Sequence, residues 1–201
     1  MKKVLFATIL SLLSITTSAQ VSLKTEGQNP QYVETIKGRA QKIVDALQLT
    51  DAQKAENVRN IIANRYFLLN DIHAKYDKKT QEDALYAELF KHHFELASAL
   101  ALYLNEEQID AVKDGMTYGR LKRDYQAQLD MIPTLKEEEK MQILVWLREA
   151  REYAMDAADS KGKHFWFDKY RGRTNNWLSA RGYDLKKERE AWTKRNAERS
   201  K

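Results

Sequence analysis

Cysteine is missing from all 201 residues, proline occurs twice and glycine seven times. Without cysteine there is no disulfide, thiol nucleophile or lipid-anchoring thiol, so stability must come from packing. So few prolines and glycines leave no room for a linker or a low-complexity segment. Long apolar runs are also scarce. The one near the start, "MKKVLFATILSLLSITTSAQ", sets Lys2 and Lys3 before an apolar and small-polar stretch from Val4 to Ile15, then Thr17, Ser18 and Ala19. That order is the layout of a secretory signal peptide, and the run falls short of the about 20 residues a membrane helix needs. The expectation is a signal peptide over residues 1–19, cleaved after Ala19. A secreted or periplasmic protein follows, with no membrane insertion after cleavage and residues 20–201 as a single helical domain.

The formal charge of +5 becomes +3 once Lys2 and Lys3 are removed. It is unevenly spread: Lys161 to Lys201 holds 13 Lys and Arg against 5 Asp and Glu. A basic end can attract anionic polysaccharide, acidic lipid or nucleic acid, or pair with the protein's own acidic half. Export argues against nucleic acid as a partner.

What is present is helical periodicity from end to end, with no strand-like alternation. Ile36, Ala40, Ile43, Val44 and Leu47 mark one face of a first helix. Thr50 with Gln53 reads as a capping box before a second, running to about Asp77 with Ala55, Val58, Ile62, Leu69 and Ile72 inward. Thr80 and Asp83 start a third, striped by Leu85, Leu89, Leu96, Leu100 and Leu104. Asn105 with Gln108 repeats the cap, and Thr134 with Glu137 opens another long helix. Gly115 and Gly119 interrupt the rhythm around Gly115–Tyr125, and Pro133 ends that segment. The fold class is all-α, a single irregular bundle of five to seven helices.

Recognisable catalytic signatures are lacking. Four histidines include no pair four apart, and His92 and His93 point about 100° apart on a helix, so no metal site is expected. Phosphate loops, dinucleotide fingerprints and nucleophile elbows do not occur, and no cofactor is expected. Glycoside cleavage needs only two carboxyl groups about 5–10 Å apart. Among 29 acidic residues, Asp114, Asp124 and Asp168 lie nearest the unusual segments, with Asp114 and Asp168 as acid or base candidates.

Two resemblances arise. "LTDAQ" and "LNEEQ" echo the Leu-Thr-x-x-Gln signature of small helical periplasmic stress chaperones, with Asn105 where threonine belongs. From about Arg39 to Leu185, "IVDALQLTDAQKAENVRNIIANRYFLLNDIH", "VKDGMTYGRL" and "KHFWFDKYRGRTNNWLSARGYDLKKE" resemble a family of secreted bacterial helical domains of unknown function. That family is described as sugar-binding and is common in Bacteroidetes-type, polysaccharide-degrading bacteria. The resemblance implies carbohydrate as the partner class and supplies no functional residues.

The segment from Lys163 to Leu185 gathers six aromatic rings, three arginines and two adjacent asparagines. On one helix, Trp166, Tyr170, Arg173 and Trp177 fall within about 60° of one another, and His164, Asp168, Arg171 and Asn175 form a polar stripe roughly opposite. Gly172 between them is a point where the helix could kink. The aromatic stripe reads either as a core face or as rings for stacking on the apolar face of a pyranose. The polar stripe reads as a solvated face or as planar groups that grip hydroxyls or a uronate. Asn176 next to Asn175 is unusual inside a helix, and "DGMTYG" exposes Tyr118 beside two glycines. The expected ligand set is therefore His164, Trp166, Asp168, Tyr170, Arg171, Arg173, Asn175, Asn176, Trp177 and Tyr118. The expected function is glycan binding, acidic polysaccharide included, in a polar and aromatic cleft. The alternatives are a glycan-degrading enzyme and a chaperone-like envelope protein.

Overall fold

A computed structural model describes residues 20–199; the expected signal peptide lies outside them. All regular structure in the described residues is helical, in nine segments. They are α1 (Pro30–Ala46), α2 (Ala52–Lys75), α3 (Glu82–His92), α4 (Glu95–Leu100), α5 (Glu106–Met116), α6 (Arg120–Met131), α7 (Glu137–Met155), α8 (Ser160–Ala180) and α9 (Leu185–Arg199). The all-α class holds, and the count exceeds the expected five to seven for two local reasons. The leucine-striped third helix breaks at His93 and Phe94 into α3 and α4, and the segment after Gly119 is itself helical.

The ends follow side-chain chemistry, in places one residue from expectation. Asp51, rather than Thr50, caps α2 by accepting the Lys54 amide at 3.0 Å. A carboxylate is the better acceptor beside the positive end of the helix dipole. Gln81 instead of Thr80 precedes α3, and Lys136 instead of Thr134 precedes α7, where Glu139 folds back to accept the Lys136 amide at 2.9 Å. The Asn105–Gln108 capping box forms as read. Between α5 and α6 the chain turns through left-handed geometry at Tyr118 (φ 61°) and Gly119 (φ 63°). Glycine holds that conformation freely, whereas for tyrosine it is strained. Gly115 sits inside α5, where a Cβ would come within 3.0 Å of Ile43; its role is to let α5 lie close on α1.

Two main apolar clusters result. One packs α1, α2, α4 and α5 around Ile36, Ile62, Phe67, Leu100 and Met116; the other packs α6 to α9 around Ile132, Ile143, Phe167 and Leu178. A third, small cluster of Leu69, Ile72, Leu85 and Leu89 seats α3 on the second half of α2. The leucine stripe read as one face thus serves two cores. Residues 21–24 are strapped along α2 by an asparagine ladder. Asn57 accepts the Val21 amide at 2.9 Å, Asn60 donates to the Val21 carbonyl at 2.7 Å, and Asn64 holds Ser22 and Lys24. At the other end, Arg195 of α9 donates to the free carbonyls of Asp130 and Met131 at the end of α6. Of the described residues, no helix is long and apolar enough to cross a membrane.

α8 runs unbroken through Gly172 and buries Lys163, Phe167, Tyr170, Thr174 and Leu178. Phe167, fully buried at the centre of the second cluster, should be its most sensitive position. Truncation to alanine is expected to remove about 3–5 kcal/mol of stability, measured by urea unfolding. A loss below about 1 kcal/mol would contradict this packing.

Candidate functional site

Because the buried face of α8 centres on Phe167, the two stripes seen in the sequence become its two shoulders. On the polar shoulder, Arg120 at the start of α6 is the hub. It donates to Asp124 at 2.9 and 2.7 Å, to Nδ1 of His164 at 2.8 Å and to Asp168 at 3.1 Å. Guanidinium can only donate, so His164 accepts at Nδ1 and carries its proton on Nε2. Tyr118, from the strained turn, stacks on His164 at 5.8 Å, and exposed Arg171 lies 3.4 Å from Asp168. Tyr118, His164, Asp168 and Arg171 are therefore brought together, with Arg120 and Asp124 as the members sequence reasoning left out of the ligand set.

The remaining candidates lie elsewhere. Arg173 covers the Trp146 ring at 4.7 Å, and Trp177 meets Trp146 edge-on at 5.2 Å. Asn175 is half-buried and Asn176 exposed, further along the helix. Asp114 accepts from Arg151 at 2.8 Å where α5 meets α7. Of the ten expected ligand residues, only Trp166 and Tyr170 line a large concavity on the other side of α8.

That concavity is a groove of about 1090 Å³ between α3 and the hairpin of α7 and α8. One wall carries Tyr86 and Phe90 of α3, followed by Phe94; the other carries Tyr153 of α7 with Phe165 and Trp166 of α8. Tyr153 and Trp166 stack face to face, 4.6 Å apart and 18° from parallel. Phe90 is 68% exposed, Phe94 62% and Phe165 56%, so large rings face solvent from both walls. The α3 rings were legible as a period-four series, Tyr86, Phe90 and Phe94, running beside the leucine stripe.

Beneath the rings lies a charged floor that the sequence did not reveal. Asp156, the residue ending α7, bonds buried Arg65 of α2 through one oxygen and His93 Nδ1 through the other, at 2.6 Å. Its carbonyl accepts from His73 Nε2 at 2.7 Å. Arg65 also donates to the His92 carbonyl at 2.8 Å, where α3 ends. His93 Nε2 lies 3.6 Å from Glu152, which in turn accepts from Lys113 at 2.9 Å. The hydrogen bonds to Asp156 and Glu152 raise the His93 pKa to about 9, so its ring is cationic at neutral pH. For Glu152, burial pushes the pKa up, but bonds from His93 and Lys113 outweigh it and bring it down to about 2. The Lys163 amine is buried without a hydrogen-bond partner, 5.8 Å from the Tyr66 ring centre, and burial lowers its pKa to about 8. No group of three or more His, Asp or Glu side chains among the described residues is arranged to hold a metal ion.

The family described as "Protein of unknown function (DUF3826)" matches residues 33–85 and 77–197. The chain belongs to this family. No curated protein matches it. The DUF3826 match takes in every residue of both groove walls and of the floor. Its first stretch supplies His73, Lys78 and Leu85, and its second the α7–α8 wall. The description assigns no ligand or reaction to a DUF3826 domain, so any function must be argued from the groove itself.

The floor gives stability a definite pH dependence. His93 binds its proton more tightly folded than unfolded, so its contribution is full below about pH 6.5 and lost as pH rises through about 9. Glu152 works in the opposite direction, contributing fully above 4.5 and losing its contribution as pH falls through about 2. Lys163, held below its usual value, instead adds stability as pH rises from about 8 towards 10.5. The His93→Gln difference therefore reports the imidazolium held between Asp156 and Glu152. Urea midpoints against pH should show wild type losing its advantage over the variant between about pH 6.5 and 9. Parallel curves would mean the imidazolium is not held as described.

Proposed function

We propose that this protein, exported by its N-terminal leader, binds oligosaccharide outside the cytoplasm in the groove between α3 and the α7–α8 hairpin. The observation that carries this reading is the stacked Tyr153–Trp166 pair, set with Phe165 against Tyr86 and Phe90 across an open groove. A pyranose has an apolar C–H face and a rim of hydroxyls. It can lie on a ring while its rim reaches polar groups beside it, here Lys78, Lys161, Lys169, Glu149 and Asp159. At about 1090 Å³ the groove sits at the upper end of the range of about 300–1,000 Å³ usual for small-molecule sites, with room for more than one sugar ring. The resemblance to a sugar-binding secreted family supports the same partner class.

Binding is favoured over cleavage because neither Asp114 nor Asp168 lines the groove, and the four carboxylates that do, Glu149, Glu152, Asp156 and Asp159, are each engaged by a neighbouring cation or amide. Asp114 and Asp168 are instead paired with arginines outside the groove, Arg151 and Arg120 respectively. A second reading, client binding by an envelope chaperone, draws on Phe90, Phe94 and Phe165, each more than half exposed.

Calorimetric titration against a panel of neutral and acidic oligosaccharides is expected to show saturable binding. Trp166→Ala and Tyr153→Ala should each weaken it about tenfold, the loss of roughly one ring contact. Failure of every saccharide to bind, together with suppression of client aggregation that sugars do not compete, would replace this reading with the chaperone one.

A further inference from the structure

The charges around the groove are not equally available. Four carboxylates line it, and each already has a partner. Asp156 holds Arg65 and His93, while Glu152 holds Lys113 and lies near His93 and Arg151. Asp159 caps α8 by accepting the Gly162 amide at 2.7 Å, and Glu149 lies 3.6 Å from Arg173. Three lysines line the same groove, and within the described residues none of them pairs with a carboxylate. Lys78 lies in the turn before α3, and Lys161 is exposed in the first turn of α8. Lys169 stands over the Trp166 ring, 4.8 Å from its centre. That last contact puts an ammonium directly beside the stacked Tyr153–Trp166 pair.

An ion-paired carboxylate has spent most of its field on its partner, whereas an unpaired ammonium keeps its own and is drawn to mobile anions. Asp159 is met by an amide and not by a cation, so three lysines stand against one uncompensated carboxylate and the groove's uncommitted charge is positive, although the acids and lysines lining it nearly balance in number. Resting on the reading that the groove binds oligosaccharide, we infer that it selects sugars bearing a carboxylate or sulfate. The anionic group would be gripped by Lys161 and Lys169 while the sugar ring packs against the exposed wall rings of Tyr153 and Phe165. Lys78 would meet the next charged residue of a longer chain from the α3 side. Both wall lysines belong to the basic C-terminal part of the sequence, so its charge excess has a local use here. The rings supply contact to any pyranose, and the lysines, besides reaching its hydroxyls, add a discrimination by charge.

The test compares an oligogalacturonate, the same oligomer fully methyl-esterified, a sulfated oligosaccharide and a neutral glucan oligomer, by titration calorimetry at low and high salt. The acidic oligomer is expected to bind about tenfold more tightly than its methyl ester, the effect of one charge-assisted contact. Added salt should shrink the gap. Lys161→Gln/Lys169→Gln should close the gap, acid and ester then binding within about twofold of each other; both positions are exposed, and an unchanged melting temperature confirms the fold. Tighter binding of the sulfated or of the carboxylated arm tells which anion is preferred, and either supports the inference. Equal binding of acid and ester, or a charge preference that survives in the double variant, would overturn it while leaving oligosaccharide binding intact. If no saccharide binds at all, the underlying reading falls and this inference with it.

Discussion

Asp156 is the constraint from which the groove follows. Its carboxylate ties Arg65, midway along α2, to His93, at the break between α3 and α4, and its carbonyl takes His73 from further along α2. Three parts of the chain therefore meet at the residue ending α7. Buried ion pairs of this kind contribute little net stability, but removing one partner strands a charge and costs about 3–5 kcal/mol. Their effect is to fix geometry. Here the geometry is the separation between α3, seated on its own small cluster, and the α7–α8 hairpin, seated on the second main cluster. The break at His93 makes sense in these terms, since it lets the imidazole reach Asp156 instead of continuing a surface helix.

The aromatic walls are a consequence of how α8 packs. Its buried face is a narrow strip through Lys163, Phe167, Thr174 and Leu178, so rings at its edge, Phe165 and Trp166, remain open on one side. Tyr153 extends that surface onto α7 by stacking on Trp166. Across the groove, α3 buries Leu85 and Leu89 in its small cluster and leaves Tyr86 and Phe90 facing out. Large rings exposed on two facing walls make a recognition surface rather than scattered surface hydrophobics.

The opposite shoulder of α8 performs a different job. Arg120 uses its full fork on Asp124, His164 and Asp168, which locks the start of α6 to the first half of α8. Planar polar groups in that stripe looked suited to gripping hydroxyls, yet most of their bonding capacity is turned on one another. Tyr118 reaches the cluster only because its backbone adopts a strained left-handed turn beside Gly119. The polar stripe and the glycine-flanked turn do converge, while the concavity with room for a ligand lies on the aromatic side.

Much of the local structure was legible from residue order. The Asn105–Gln108 cap, Pro133 as a terminator and the periodic faces of α1, α2 and α3 all depend on contacts within about four residues. Where the reading slipped, at Asp51 for Thr50 or at the His93 break, a neighbouring side chain or a distant partner outcompeted the local choice. The hub could not be read this way: Arg65, His93 and Asp156 are separated by 91 and 63 positions at their two contacts, and nothing in their immediate neighbours announces the meeting. By itself the sequence determined that the chain is helical, where several of its helices begin to within a residue or two and which residues are apolar, because those properties are set within a turn or two. Which shoulder of α8 would be covered, which lysines would keep their charge and where a groove would open were decided only by tertiary packing. Those outcomes depend on which helices lie side by side, and periodicity within one helix carries no information about its neighbour.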